Sequence, residues 1–452
     1  MTAEPPREGS LGAPTRHALD WRSEGFYDLA TIEEEMERVF DICHGCRRCF
    51  NLCESFPRLF DLVDASPTGE LDGVAKEDFK PVVDACTLCD MCFMTKCPYV
   101  PPHEWALDFP HLMLRHRAAE LKHKGGKQPL SAQLAETDRN GQIGRLVAPA
   151  ANFASARGNW ATRPLIDAVL GVDPQVELPK YHTRTFQQHA ALEPPPINPD
   201  GPARGRKALL YATCFVDYNQ PSTGTAAQAV LARQGVTTEV VYPACCGMPQ
   251  LEHGDIAEAA ARAEQVAAAM APYIEQGYDI VALTASCGLM MKFEWPLILP
   301  ENAQVLQLAR ATRDICEYIV DIAKKEGLAP GLAPVEGGVT AHVACHARAQ
   351  NMGQKSAEML KLIPDTKIDV VERCSGHGGT FGVLKKTRPL ALKVGRPTAR
   401  QVAQKQNAHL CSDCPLACKH LGQIVADELS AKSDAAPKHA HPIEIFAKAY
   451  GL

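Results

Sequence analysis

The chain has 452 residues, of which 46% are hydrophobic and 22% charged, and its formal net charge is −6. The length exceeds one ordinary core and predicts several domains, while the composition excludes a disordered or fibrous protein. The negative charge excludes a general attraction to nucleic acid. No window approaches the roughly 18 apolar residues of a membrane-spanning helix. Residues 1–29 lack an apolar segment and predict a flexible tail on a cytoplasmic protein.

Eighteen cysteines are a high count for such a chain. Cytoplasmic thiols stay reduced unless they bind metal or perform redox chemistry. Metal binding is therefore favoured over a disulfide framework, and the spacing of the cysteines decides which metal.

The first cysteines form two runs within residues 30–120, "CHGCRRCFNLC" and "CTLCDMCFMTKCP". Two triple runs, each with a fourth cysteine, are typical of two-cluster ferredoxins, in which each fourth cysteine ligates the other cluster. Zinc also accepts four thiolates, but its sites usually come as two C-x2-C pairs. The crossing rule predicts two [4Fe–4S] clusters, one held by Cys43, Cys46, Cys49 and Cys97, the other by Cys86, Cys89, Cys92 and Cys53.

Between these runs, "PRLFDLVDAS" and "EDFKPVVDA" have the apolar spacing of helices, so the domain is predicted to be mainly helical. A further helix is expected after Pro110. Residues 121–205 form a connecting region rich in proline, and "LEPPPINPDGPARGRK" marks its boundary with the next compact unit.

The rest of the chain alternates strand and helix patterns twice, in residues 206–330 and 336–452. The segments "ALLYATC", "TEVVYPACC" and "YDIVALTASC" are matched by "VTAHVAC", "KIDVVERCSG" and "NAHLCSDC". Their cysteines are offset by 131, 129 and 127 residues, as small loop changes in a duplicated unit would produce. We therefore expect two tandem α/β units with parallel sheets.

Each of these cysteines falls at the carboxyl end of a predicted strand, where open α/β sheets bind their ligands. The thiols of each unit should converge there, and Gly247 permits the turn that presents two adjacent cysteines. The predicted ligand sets are Cys214, Cys245, Cys246 and Cys287 in the first unit, and Cys345, Cys374, Cys411 and Cys414 in the second. Each set suits an iron–sulfur cluster or a zinc ion.

The motifs "TCFVDYNQP", "CCGMP" and "CSGHGGTFG", with the closing "HPIEIFAKA", carry a family resemblance. Residues 30–452 resemble the cysteine-rich (CCG) iron–sulfur oxidoreductases, which include the cysteine-rich subunits of anaerobic glycerol-3-phosphate dehydrogenase and of heterodisulfide reductase. The resemblance implies an electron-transfer subunit that connects a flavoprotein dehydrogenase-type partner to a quinone or another acceptor. It also allows peripheral attachment at the inner face of a membrane through that partner.

The sequence departs from the five-cysteine motif of the heterodisulfide reductases in both units. Thr284 stands at the first position of the C-x2-C pair, and Ser375 at the second position of the Cys-Cys pair. Four thiols suffice for a cluster or zinc, whereas a five-thiolate centre would be incomplete. Two alternatives remain: a thiol/disulfide reductase with catalysis at a C-terminal cluster, and a non-enzymatic docking module that binds zinc.

Overall fold

The structure, a computed structural model, describes residues 14–430 and 436–452. Of the predicted tail, residues 1–29, the first 13 lie outside the described residues. From Thr15 onward the chain makes specific contacts, since the Thr15 amide donates to Pro101 O at 3.1 Å and the Leu19 amide donates to Leu297 O at 2.8 Å.

The N-terminal part is helical, as its apolar spacing predicts. Its first helix begins after Asp28, whose carboxylate accepts from the Ala30 amide, and ends at Arg47, which has a left-handed φ of 52°. Ile32, Met36 and Phe40 lie on one buried stripe of this helix. The helices of this part are α1 (Leu29–Cys46), α2 (Ser55–Asp64), α3 (Lys80–Ala85) and α4 (Phe109–His123).

The connecting region contains short helices and no strand of either sheet among its residues, all of which are described. Its helices are α5 (Thr137–Leu146), α6 (Ala148–Ala154), α7 (Arg163–Leu170) and α8 (Phe186–Leu192). A single antiparallel bridge joins Val172 to Leu384, so the region also contacts the second α/β unit.

The first α/β unit alternates strands and helices as the sequence predicts. Its strands are β1 (Lys207–Tyr211), β2 (Thr237–Val241), β3 (Asp279–Ala282) and β4 (Thr312–Asp314). Its helices are α9 (Cys214–Tyr218), α10 (Pro221–Arg233), α11 (Met248–Glu252), α12 (Ile256–Glu275), α13 (Ala285–Leu289), α14 (Trp295–Ile298), α15 (Ala303–Ala311) and α16 (Ile315–Lys325).

The second unit repeats this plan with fewer helices. Its strands are β5 (Val339–His342), β6 (Ile368–Val371), β7 (His409–Ser412) and β8 (Lys438–Ala440). Its helices are α17 (Cys345–Ala349), α18 (Lys355–Leu360), α19 (Arg388–Lys405), α20 (Pro415–Ile424) and α21 (Pro442–Ala449).

The two sheets have the same topology, with all neighbouring strands parallel and the orders β2-β1-β3-β4 and β6-β5-β7-β8. The register also corresponds, because Ala208 pairs with Asp279 in one sheet as Val339 pairs with His409 in the other. This identity of order and register confirms the expected α/β duplication.

The two units share one hydrophobic core. Helix α10 of the first unit packs against α21 of the second, and α16 packs against α18. Val281, Cys316, Ala341 and Phe446 belong to the same buried cluster. Within the described residues, no helix combines the length and the apolar character that a bilayer crossing requires.

Candidate functional site

The first thiol group consists of Cys43, Cys46, Cys49 and Cys97, which the crossing rule assigned to one cluster. Cys43 and Cys46 lie in the last turn of α1. Burial and then the thiols of Cys97, Cys49 and Cys46 raise the pKa of Cys43 well above its usual range. Burial, Cys97 and Cys46 likewise raise the pKa of Cys49 to about 12. The four thiols are therefore close enough to interact.

The second thiol group consists of Cys53, Cys86, Cys89 and Cys92. Burial and then Cys89 and Cys86 raise the pKa of Cys53. The pKa of Cys92 is raised by burial, by Cys89 and Cys86, and further by Cys49 and Cys53. Because Cys92 is influenced by members of both sets, the first and second thiol groups lie close enough for their charges to interact.

The loop that carries the second thiol group is held by an unusual backbone and by one arginine. Leu88 and Asp90 have positive φ angles of 48° and 61°. Arg117 donates to Val83 O at 2.6 Å, to Cys86 O, and to Glu252 O at 3.0 Å. The arginine thus fastens the loop to the first α/β unit.

A buried ionic network, which the sequence did not predict, lies against the same loop. Arg16 donates to Asp90 at 2.8 Å, to Asp108 at 2.7 Å and to Glu294 at 3.0 Å. His111 contacts Glu294 at 3.0 Å. Burial alone would raise the pKa of Glu294, but His111 and Arg16 lower it to about 2. Arg16 therefore joins the start of the described chain to the N-terminal helices and the first α/β unit.

The third thiol group consists of Cys214, Cys245, Cys246 and Cys287, as the sequence predicts. The Sγ atoms of Cys214 and Cys245 are 3.9 Å apart, and side-chain hydrogen bonds continue the series to Cys246 and Cys287. Hydrogen bonds from Cys214 and Cys246 lower the pKa of Cys245 well below its usual range. The hydroxyl of Thr284 donates to Cys287 Sγ at 3.1 Å.

The connecting region covers this third thiol group. Asp138 accepts a hydrogen bond from the Cys245 amide at 3.0 Å, from the Tyr242 hydroxyl, and from Arg262 at 2.7 Å. On another side, the indole of Trp295 donates to Cys246 O at 3.1 Å. The adjacent cysteines are thus buried, and the Cys245 amide and the Cys246 carbonyl are both hydrogen-bonded.

The fourth thiol group contains three of the four cysteines expected in the second unit: Cys345, Cys374 and Cys414. Burial raises the pKa of Cys345, and Cys89, Cys374 and Cys414 raise it further. Cys374 also raises the pKa values of Cys89 and Cys53. The fourth group therefore adjoins the second thiol group across the boundary between domains.

Cys411, the fourth predicted ligand of the second unit, points elsewhere. It lies inside strand β7 and is fully buried in the core that the two units share. Burial raises its pKa, followed by Cys418 and Asp413. Successive side chains of a strand point to opposite faces, and the sequence pattern extended this strand too far toward Cys414.

The structure also changes the correspondence between the units. Thr284 and Cys414 each occupy the position before a helix, namely α13 and α20. Thr284 therefore corresponds to Cys414. By strand register, Val281 of the first unit is equivalent to Cys411 of the second. The alignment by cysteine spacing, which paired Thr284 with Cys411, was displaced by three residues.

Other cysteines surround these groups. Cys316 is buried, and its Sγ lies 3.8 Å from a carboxylate oxygen of Asp413, so it belongs to the unit boundary. Cys418 directs its thiol toward Leu410 O and Ala440 O at 3.5 and 3.6 Å. All eighteen cysteines are free thiols. Local spacing carries no signal for these orientations, because they depend on contacts between units.

Comparison with known proteins agrees with the duplicated unit. The cysteine-rich domain (CCG) profile matches residues 208–292 and again residues 339–420. Lactate utilization protein A from Geobacillus sp. (strain WCH70) is 30% identical over 190 residues, which cover 39% of this chain and 75% of that protein.

Two Escherichia coli (strain K12) proteins are similar over longer stretches. The subunit of anaerobic glycerol-3-phosphate dehydrogenase that is designated C is 26% identical over 324 residues, which cover 70% of this chain and 76% of that protein. The glycolate oxidase iron-sulfur subunit is 26% identical over 244 residues, covering 50% and 58% of the two chains. With its two matched cysteine-rich domains and these relatives, the chain belongs to the CCG cysteine-rich domain family.

Proposed function

We propose that this protein is an iron–sulfur electron-transfer subunit of an oxidoreductase. The observation that carries the proposal is the proximity of the first and second thiol groups, each of which combines three closely spaced cysteines with one from the other cysteine run. In the proposed assignment, each group holds one [4Fe–4S] cluster, and such clusters carry single electrons when bound. The name of one relative, the glycolate oxidase iron-sulfur subunit, supports the same class of cofactor.

The chain's own residues fit such a cofactor. Burial raises the pKa values of Cys43, Cys53 and Cys92, so these thiols are protonated when free and must release protons to bind metal. At Cys49, the charges of Lys96 and Arg48 lower the pKa and so act against burial. A pair of cations therefore favours the thiolate form beside the first group, where negative charge would accumulate.

The proposed electron path continues from the second thiol group to the fourth. Cys374 is the contact, because it acts on both Cys53 and Cys89. The fourth group offers three thiols, with Ser375 beside Cys374, so its proposed centre needs a further ligand from outside this set. The three thiols also make a five-thiolate centre for disulfide reduction a poorer fit than an electron relay.

The third thiol group supports a four-thiolate centre, and zinc is the alternative to iron–sulfur there. A tetrahedral zinc ion with Zn–S bonds of about 2.3 Å separates its sulfurs by about 3.8 Å. The observed distance between Cys214 and Cys245 is 3.9 Å. This distance is compatible with zinc, and it is equally that of two hydrogen-bonded thiols, so metal analysis decides between zinc and iron–sulfur in the third group.

The proposed partners are a flavoprotein dehydrogenase-type protein as donor and a quinone or another acceptor. Relatives that are subunits of a glycerol-3-phosphate dehydrogenase and a glycolate oxidase support a role beside a dehydrogenase. Their substrates are properties of those complexes. The proposed location is the cytoplasm.

The test is iron, acid-labile sulfide and zinc per chain on anaerobically purified protein, with electron paramagnetic resonance after reduction. We expect about eight irons for the first two groups, with additional iron if the fourth group is occupied. Cys97→Ser should remove about four irons, those of one cluster. Cys418→Ser is the matched control, because this buried thiol belongs to none of the four groups, and it should keep the full iron content. Unchanged iron in Cys97→Ser would refute the assignment.

A further inference from the structure

Helix α5 reverses the usual distribution of side chains. Its buried side carries Gly141 and Gly144, and a Cβ at Gly141 would clash with the ring of Tyr218. Its outer side carries Ile143 and Leu146, which are 56% and 72% exposed. A surface helix normally buries its apolar stripe and exposes polar residues. This helix packs through glycine and presents its large apolar residues to the outside.

The reversal continues through α6 and α7. Phe153 at the end of α6 is 72% exposed, Leu165 in α7 is 67% exposed, and Trp160 between them is 87% exposed. Sixteen residues between positions 141 and 170 are exposed, and fourteen of them are apolar or glycine. We call the exposed apolar side chains of this stretch the apolar face: Ile143, Leu146, Val147, Phe153, Trp160, Leu165 and Val169.

The loop that presents Trp160 is fixed by hydrogen bonds. The Asn159 side chain donates to Phe153 O at 2.8 Å and accepts from the amides of Ala161 and Thr162 at 3.0 and 3.1 Å. The Thr162 hydroxyl donates to Ala154 O at 2.7 Å. Trp160 is therefore held outward by a well-bonded loop.

Arg163 anchors the same loop from below. Its buried guanidinium donates to Ser155 O at 2.7 Å, to Asp173 O at 2.7 Å and to Val176 O at 2.9 Å. It also pairs with Asp167 at 3.0 Å. An arrangement that satisfies a buried arginine while leaving a tryptophan exposed is pre-organised for binding, because little ordering remains when a partner arrives.

The apolar face has few charged or hydrogen-bonding groups, and this scarcity indicates the kind of partner that it binds. Residues 141–170 contain three arginines and one acidic residue, Asp167, which Arg163 already neutralises. Gln142 and Arg157 are the polar members of the sixteen exposed residues, and Arg157 pairs with Asp427. A protein interface usually has one hydrogen bond per 100–200 Å², which this face offers few groups to form. A lipid surface requires none.

We propose that the apolar face binds the surface of a lipid bilayer, with Trp160 and Phe153 inserted at the boundary between headgroups and acyl chains. Short amphipathic helices with Trp, Phe and Leu on one side and arginine nearby bind in this way. Arg157 and Arg163 are already paired with carboxylates, so Arg145 alone adds a weak attraction to anionic lipids. The site is separate from the thiol groups and does not depend on their cofactors.

The test is sedimentation of the full-length protein with vesicles of phosphatidylcholine, with and without phosphatidylglycerol. We expect binding to both, with only a small preference for the anionic vesicles, because apolar contacts carry most of the binding. The double variant Phe153→Ser/Trp160→Ser should bind at least about tenfold more weakly, because each side chain loses most of its apolar area. The control Leu192→Ser/Leu452→Ser removes apolar side chains that are 66% and 56% exposed elsewhere and should bind as the parent does.

Two further measurements distinguish a lipid surface from a second copy of the chain as the partner of the apolar face. Brominated lipids should quench the fluorescence of the parent and leave that of Trp160→Phe unchanged on the same vesicles. Light scattering in the absence of lipid reports a second copy of the chain. The proposal is overturned if the parent ignores both kinds of vesicle, if the double variant binds as the parent does, or if the face instead mediates a dimer that Phe153→Ser/Trp160→Ser dissociates. Circular dichroism and metal content must match the parent in every variant.

Discussion

The two α/β units have the same strand order and the same register, yet they treat their cysteines differently. In the first unit all four expected thiols converge, and the contact between Cys214 and Cys245 closes the group at 3.9 Å. In the second unit three thiols converge, while Cys411 points into the shared core. Duplication thus preserves the sheet and not the ligand set. Whether a cysteine reaches the site depends on its position relative to the end of its strand.

The surroundings of the two groups differ as well. The group of the first unit is covered by Asp138 of the connecting region and by its own Trp295. The second unit opens its group toward the second thiol group, through Cys374 and Cys89. Under the proposed function, this contrast would give the first unit a secluded centre and the second unit a centre for electron exchange.

The largest effect should come from comparing Cys374→Ser with Cys246→Ser. Cys374 lies beside Cys53 and Cys89, so its loss should abolish any centre in the fourth group and also change the reduction potential of the neighbouring cluster. Loss of Cys246 should remove the metal of the third group alone. Metal analysis and a redox titration followed by paramagnetic resonance measure both effects. Identical titrations for the two variants would contradict the proposed path.

The next largest effect should be a difference between the two units in their stability toward acid. Tyr211 and His342 occupy equivalent places in β1 and β5. Burial lowers the pKa of His342 to about 4, below the value of about 6.5 in an unfolded chain. The stabilising effect of the neutral ring is therefore complete above about pH 6.5 and is lost progressively as the pH falls to about 4.

The loss at His342 amounts to about 3 kcal/mol. His342→Gln should flatten the decline in the free energy of unfolding over this range, as measured by urea denaturation at several pH values. Tyr211→Phe is the control in the first unit, where the phenol donates to Ala244 O and does not titrate in acid. Equal flattening by both variants would mean that other groups dominate the acid response.

A smaller effect is expected for Cys411→Val, which copies Val281 from the equivalent position of the first unit. Both residues lie in the shared core, so the free energy of unfolding should change by less than about 1.5 kcal/mol. Iron and zinc contents should remain those of the parent. Cys414→Val, which removes a thiol of the fourth group, is the variant with which the metal content of Cys411→Val is compared. A loss of metal from Cys411→Val would show that Cys411 is a metal ligand after all, as the sequence predicts.

The smallest change is expected for Thr284→Cys, which gives the first unit the thiol that Cys414 supplies in the second. The Thr284 hydroxyl already lies 3.1 Å from Cys287 Sγ, so a thiol fits with little repacking. Stability should change by less than about 1 kcal/mol. The optical spectrum of the cobalt-substituted protein reports whether the new thiol joins the third group, and an unaltered spectrum would show that Thr284 stands outside it.

Local pattern predicted much of this molecule. Alternating strand and helix segments indicated the duplicated sheets, and spacing alone selected the members of the first two thiol groups, which the structure brings together. The direction of Cys411 was not predicted, because a shift of one residue at a strand end reverses which face a side chain occupies. The ionic network of Arg16 was not predicted either, since its partners lie 74, 92 and 278 residues away.

The position of Arg16 has a consequence for how the chain assembles. Arg16 and Glu294 are separated by 278 residues along the chain. Arg16 cannot occupy its final place until Glu294 has packed beside it. Without Arg16, Asp90 and Glu294 would be two buried carboxylates with no arginine between them. Arg16 can satisfy all three carboxylates only when the N-terminal helices and the first α/β unit have docked, so this network couples the folding of the two parts.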